Sequence, residues 1–389
     1  MLLPFQYIIS VDRRKLNEKL LSAAEAQDGV QIHFDHALHS MDLDAKKATF
    51  KLPDNSSTTV TSDLFIGADG AFSATRKEIM KKTRCVFSLL SLSSGKENKK
   101  KQLIISISMN FNQQYIDHAY KELTIPAKGG RHVLDANSLH VWPRGGFMLI
   151  ALPNTDGSFT ATLFLARMGA NSFATLSSAT AINDFFRWEF PDAVPLMPNL
   201  AQEFAANPQG QLGTVHVTPW HVGGSVLLLG DAAHAIVPFH GQGMNAAFED
   251  CAILDALLDQ HNVSTHDAND IRAWSTLFSD VSRSRRPNAD AIAEMALENY
   301  TEMRDNVLDA GFARRKSIAM ELERRFPDRF IPRYSMVMFH PEIPYTDALR
   351  RGTIQADILA QLDAKRDASG NTDAKLAEKL IKDRLSPVS

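Results

Sequence analysis

A single carboxylate, Asp231, follows the apolar run Val226 to Leu229, and the glycine-rich stretch Pro238-Phe-His-Gly241-Gln-Gly243-Met-Asn245 comes soon after it. The run reads as a strand buried on both faces. Asp231 therefore emerges at the strand's carboxyl end, where it can accept hydrogen bonds from a ribityl chain. Gly241 and Gly243 let backbone approach a ligand closely. A helix beginning near Gln242 would aim its free N–H groups and the positive end of its dipole, roughly half a unit charge, at phosphate or at an electron-rich pyrimidine edge. Together these features suit the holding of a flavin. The plainer alternative is a strand, turn and helix whose glycines serve only the turn.

A second motif agrees with the flavin reading. In Asp63-Leu-Phe-Ile-Gly-Ala-Asp69-Gly70-Ala-Phe-Ser73-Ala-Thr-Arg76 a strand ends in Asp-Gly and a serine opens the next helix. Gly70 permits a tight turn, Ser73 can cap the helix, and Asp69 with Arg76 can order backbone near the cofactors.

The two motifs resemble those of the aromatic-ring hydroxylases, flavoprotein monooxygenases related to p-hydroxybenzoate hydroxylase. Further blocks, among them His118-Ala-Tyr120-Lys-Glu122, Leu139-His-Val-Trp142-Pro-Arg144, Phe190-Pro-Asp-Ala-Val-Pro195 and Glu298-Asn299-Tyr300-Thr-Glu-Met303-Arg304, resemble that family's kynurenine-hydroxylating branch. The likeness runs from about Phe5 to about Asp347 and argues against a relative acting on another aromatic or polyene substrate. It implies an α/β fold like that of p-hydroxybenzoate hydroxylase: an incomplete parallel FAD-binding sheet, an antiparallel substrate lobe and C-terminal helices. The implied activity is hydroxylation of L-kynurenine to 3-hydroxy-L-kynurenine with FAD, NADPH and O2, a step of tryptophan catabolism and pyridine nucleotide biosynthesis. The cofactor would carry the bond chemistry, and the protein would supply a dry cavity and a fixed pose. No catalytic side chain and no metal is implied.

By the same resemblance Arg13 and Leu38 contact FAD, Asp231 meets its ribityl chain, and Met244 and Asn245 lie beside the isoalloxazine. Pro238 and Phe239 would face the substrate ring, with Gln242, Asn299, Met303 and Tyr334 completing the pocket. Asn299 and Met303 are i, i+4 and so share one helix face. Read without the resemblance, Arg13 is a solvated helix face and Leu38 is core. His240 departs from the family pattern, which has an aromatic there, and is either a pocket residue or a tolerated surface imidazole. His234 is expected to stabilise its turn.

The family's opening G-x-G-x-x-G is nowhere in the 389 residues. With a first strand expected beside the strand at Ser225 to Leu229, its absence predicts unpaired edges in the sheet, poor solubility and weak FAD binding. The rival reading is a truncated, inactive remnant that acts only as a binding or interaction domain.

Composition narrows the class. Hydrophobic residues make up 44%, and 42 Lys and Arg face 45 Asp and Glu for a net charge of −3, so no basic face argues for nucleic acid. The two cysteines, Cys85 and Cys251, fit a reducing compartment and lack metal-ligand company. No apolar run reaches the ~18 residues of a membrane span. The resemblance implies the cytosolic face of the mitochondrial outer membrane, here through peripheral contact at most, or the cytosol.

The expected division is a partial FAD-binding domain over 1–84, an insert resembling a translated intron or a surface loop over 85–110, and a substrate lobe over 111–214. The FAD-binding domain resumes over 215–262. A helical region over 263–362 follows, then a polar, loosely attached tail over 363–389. A helix from Asp12 to Gln27 precedes expected strands at Val30–His36, Ala48–Leu52 and Thr59–Ser62. Tyr115 to Leu165 reads as four β-rich runs of an antiparallel sheet.

Overall fold

The structure is a computed structural model and describes residues 8, 11, 13–81, 109–263, 270–366 and 371–388. The chain divides into two compact units. The first is Met1–Ala23, Tyr115–Leu212 and Leu297–Ser389; the second is Ala24–Gln114 and Gly213–Ala296.

In the second unit, β1 (Ala37–Asp42), β2 (Lys47–Lys51) and β3 (Ser57–Thr61) form an antiparallel ribbon. A separate sheet has the order β10 (His221–Val222), β11 (Val226–Leu228), β4 (Phe65–Gly67). Its parallel component is the β11–β4 pair, with Leu227 opposite Ile66. Val226, Leu227 and Leu228 are fully buried, as the unbroken apolar run implies. Two expectations need correction here. β11 is paired on both sides, by β4 and by an antiparallel β10, so among the described residues the expected unpaired edge falls on β4, which ends the sheet, and not on β11. Val30–His36 is irregular, because Asp35 takes a left-handed φ of 59° that interrupts an extended run; the strand begins later, at Ala37. Three helices complete this unit's frame: α2 (residues 74–81), the short α5 (Asp231–His234) and α6 (Gly243–His261). The first part of α7 (Ile271–Arg304) packs Trp274, Leu277, Phe278 and Val281 against β11 and its neighbours.

The first unit contains a five-stranded sheet ordered β6 (His140–Pro143), β7 (Met148–Pro153), β8 (Phe159–Ala166), β5 (Asn110–Ile125), β9 (Gln209–Thr218). The β6–β7, β7–β8 and β5–β8 pairs are antiparallel, as the alternating runs predict. One face is covered by α3 (Ala179–Glu189) and α4 (Leu200–Ala206), whose Phe186 and Phe204 meet Leu123, Leu149 and Leu163. On that face of β5 sit Ala119, Lys121, Leu123 and Ile125, all buried. Lys121 is tolerated because its ammonium donates to the carbonyls of Phe204 (2.9 Å) and Asn207 (2.7 Å) at the end of α4.

The tail is firmly packed, contrary to the loose attachment expected. α8 (Ala310–Arg325), α10 (Tyr345–Ala364) and α11 (Ala374–Arg384) enclose Leu322, Ile358, Leu362, Ala377 and Ile381, with Leu385 beyond. The 374–385 stretch reads as polar, yet Ala377, Ile381 and Leu385 recur at helical spacing and form a narrow apolar stripe. Buried Arg351 also donates to the carbonyl of Ser386 (3.0 Å). Of the 85–110 interval only the end lies within the described residues. There Met109 is buried in the second unit's core and Asn110 opens β5.

Candidate flavin site

Asp231 follows β11 directly. The chain turns at Gly230, whose φ of 57° favours glycine, and a side chain there would also press on Ala247 Cβ at 3.1 Å. Asp231 is exposed, and among the described residues no group hydrogen-bonds or ion-pairs with its carboxylate. A short 3₁₀ turn, Pro238–His240, then runs into Gly241, again left-handed with φ 67° and open space where a side chain would stand. α6 starts at Gly243 with Gln242 as its flanking residue and without a side-chain cap. An uncapped helix start five residues beyond an exposed proline leaves backbone N–H groups for something outside the helix.

The flanking side chains differ in exposure. Phe239, His240 and Gln242 are buried, whereas Pro238, Met244 and Asn245 are exposed. Asn245 donates to Gln242 Oε1 at 3.0 Å, which fixes both amides at the helix start. An exposed carboxylate, a left-handed glycine and an uncapped helix tip suit the polyol and pyrimidine portions of a flavin, so the residues present fit that group.

The Asp-Gly motif supports this turn from behind. Asp69 accepts from Ser73 Oγ (2.5 Å), Thr75 N (2.9 Å) and Thr75 Oγ1 (3.1 Å), so its carboxylate caps α2. Burial pushes that carboxyl up, but the hydrogen bonds from Ser73 and Thr75 outweigh it and hold the group below the usual carboxylate range. Arg76 is buried and donates to the carbonyls of Ala232 (2.6 Å) and Ala71 (2.5 Å), tying the Asp-Gly turn to α5. Its guanidinium also lies over the Phe111 ring at 4.9 Å. Gly67 has to be glycine, since a side chain would collide with Thr75 Cγ2 at 2.7 Å and Leu228 Cδ2 at 2.8 Å.

His234 does stabilise its turn. Its Nε2 is 2.5 Å from Asp250 Oδ2, and its ring stacks on Trp220 with centroids 4.9 Å apart. Asp250 also accepts from the Gly230 amide (2.9 Å) and from Arg285 Nε (2.8 Å). The sequence reading missed Asp250, Arg285 and Trp220. A signal was present: Asp250 lies four residues after buried Ala246 on α6, and Arg285 lies four after buried Val281 on α7, each on a helix face that is mostly apolar.

The remaining candidates are elsewhere. Leu38 is half-buried on β1, opposite Phe50. Arg13 is exposed at the start of α1 (Arg13–Glu25), a helix with no buried residue. Arg13, Asn299, Met303 and Tyr334 belong to the first unit, and the other candidates to the second. Asn299 is buried and its Nδ2 is 3.5 Å from Met303 Sδ, confirming their shared helix face. Tyr334 lies in the first turn of α9 (Arg333–Phe339), where neighbouring Arg333 pairs with Glu298 of α7.

The model of the FAD binding domain family matches residues 5–93 and 203–268. Kynurenine 3-monooxygenase of Stenotrophomonas maltophilia strain K279a is 42% identical over 382 residues, 98% of this chain and 76% of that protein. The enzyme of that name from Dictyostelium discoideum is 40% identical over 387 residues, again 98% of this chain and 78% of its own. The chain belongs to the kynurenine 3-monooxygenase family. It is thus a flavoprotein monooxygenase with an FAD-binding domain. The tetrameric form of 2-methyl-3-hydroxypyridine-5-carboxylic acid oxygenase shares the fold, with a TM-score of 0.53 at 17% identity over 86% of this chain and 71% of that one. Among the described residues no helix is long and apolar enough to cross a membrane. Bacteria supply many of these kynurenine 3-monooxygenases, so the mitochondrial outer membrane finds no support.

Proposed function

We propose that this protein hydroxylates L-kynurenine at ring carbon 3, consuming one NADPH, one proton and one O2 and releasing NADP+, water and 3-hydroxy-L-kynurenine. The observation that carries this reading is sequence identity of about 40% with named kynurenine 3-monooxygenases over 98% of the chain. When bound, FAD supplies the redox chemistry that activates oxygen. Asp231 would hold the ribityl hydroxyls, and the N–H groups at the start of α6 would meet the pyrimidine edge. Pro238, Phe239 and Gln242 would border the reacting ring, with Asn299, Met303 and Tyr334 as further pocket residues and Met244 and Asn245 beside the flavin. Arg13, Leu38 and Asp69 complete the proposed cofactor set, with Asp69 acting through the α2 cap.

The test is NADPH oxidation by the FAD-loaded protein with and without L-kynurenine, with the product identified by mass. Stimulation together with 3-hydroxykynurenine is expected. Bound FAD with no response to kynurenine sinks the substrate assignment and leaves the flavoprotein assignment standing.

A further inference from the structure

Three buried titratable side chains of the second unit meet beside the candidate site. Asp250 is fully buried, Arg285 is 2% exposed and His234 is 5% exposed. Burying a charge is costly unless it is paired and hydrogen-bonded, and here the contacts run to the turn around Asp231 and to the first turns of α6. Asp250 Oδ2 takes the Gly230 amide at 2.9 Å and His234 Nε2 at 2.5 Å. Those two residues bracket Asp231 at either end of α5. Asp250 Oδ1 takes Arg285 Nε at 2.8 Å, and the same guanidinium reaches the Ala246 carbonyl in the first turn of α6 at 3.3 Å and Glu249 Oε1 at 2.8 Å.

We propose that Asp250 is a positioning residue for the flavin, fixing the spacing between the Asp231 turn and the tip of α6 through Gly230, His234 and Arg285. This rests on the flavin reading of that site. A ligand that spans a carboxylate and a helix tip feels a displacement of either one, so a group that touches no cofactor atom controls how well both are used at once. Trp220 packs on His234 without joining the hydrogen bonds, which gives an internal control.

The experiment measures FAD affinity of the full chain by fluorescence quenching, the visible spectrum at saturating FAD, and the melting temperature of the apoprotein. The variants are Asp250→Asn, His234→Gln and Trp220→Phe. Asp250→Asn is expected to weaken FAD binding about tenfold or more and to alter the flavin spectrum at saturation. His234→Gln can still donate to Asp250 and is expected to stay within about threefold of wild type. Trp220→Phe is expected to lower the melting temperature with FAD affinity and spectrum unchanged.

Wild-type affinity and spectrum in Asp250→Asn overturn the proposal. It is equally overturned if Trp220→Phe loses as much affinity at the same loss of melting temperature, because general loosening would then explain both. Should Asp250→Asn fail to fold, Arg285→Lys keeps the charge and removes the reach to Ala246. It is then expected to weaken FAD binding, and unchanged affinity would reject the role. Wild-type protein that binds no FAD overturns the underlying flavin reading as well, whereas wild-type binding with an unaffected Asp250→Asn overturns the positioning role alone.

Discussion

The turn that carries Asp231 is held by buried charge, whereas the end of α7 that carries Asn299 and Met303 is held by rings. In the first case one carboxylate, Asp250, gathers a backbone amide, an imidazole and a guanidinium. In the second, buried Tyr300 meets His118 edge-on at 5.6 Å and Phe164 at 6.3 Å, and Arg304 covers it at 4.8 Å. His118 Nε2 is in turn bonded to the Gly146 carbonyl at 2.8 Å. Charge aligns a loop stringently but concentrates the alignment in a few atoms. Ring packing spreads the load and tolerates small losses.

The largest effect should follow from breaking the charged cluster. Arg285→Ala removes the guanidinium from buried Asp250 and leaves it only His234 and the Gly230 amide, at a cost of about 3–5 kcal/mol. Thermal or urea denaturation should show it plainly, and a loss below about 1 kcal/mol would mean that water or rearrangement satisfies Asp250.

The two regions should also part company with pH. Burial pushes the Asp250 carboxyl up, but hydrogen bonds and charge from His234 and Arg285 dominate and hold it below its ordinary value of 3.8. A carboxyl with a depressed folded pKa contributes stability above its unfolded value and loses it as pH falls through the folded one. The second unit should therefore weaken in acid from about pH 4 downward. Tyr300 behaves oppositely: burial raises its phenol from 10.0 to about 12, with Arg304 opposing the shift. Its stabilisation is complete below pH 10 and is lost as pH rises toward 12. Hydrogen exchange followed at acid and alkaline pH should show α6 amides opening first in acid and those near Tyr300 first in alkali. The reverse order would refute the assignment of charge to one region and rings to the other.

The legibility of the two regions differed for the same reason. Asp231, Gly241 and Gly243 are close in sequence, and their conformational demands are local: a buried strand, left-handed glycines and a helix start. Local rules therefore found them. Asp250 meets Gly230 from 20 residues away, Arg285 meets Asp250 from 35 residues away, and His118 of β5 meets Tyr300 of α7. Such pairings are set by tertiary packing, which periodicity does not report. Val30–His36 failed as a strand because one left-handed Asp35 outweighed a favourable composition. The tail was misjudged because three apolar residues on α11 suffice to dock it.

A smaller effect is expected at Asp69. Its carboxylate is committed to Ser73 and Thr75, so Asp69→Ala removes a helix cap and should cost about 1 kcal/mol, with an upper bound near 2 kcal/mol. If FAD affinity drops by more than about tenfold while the melting temperature holds, Asp69 has a direct ligand role that its capping geometry does not express.

Asp231 should give the smallest change in stability of all. It is exposed, and among the described residues nothing in the protein pairs with it. Asp231→Ala therefore removes no interaction the fold depends on, and apoprotein stability should stay within about 0.5 kcal/mol of wild type. FAD affinity should nonetheless fall about tenfold or more, because in the proposed site the carboxylate would accept hydrogen bonds from the ligand. Arg285→Ala and Asp231→Ala thus form an opposed pair around one turn, the first read by denaturation and the second by flavin titration. A stability loss at Asp231 equal to that at Arg285, with FAD affinity intact, would mean that this turn serves the fold and not the cofactor.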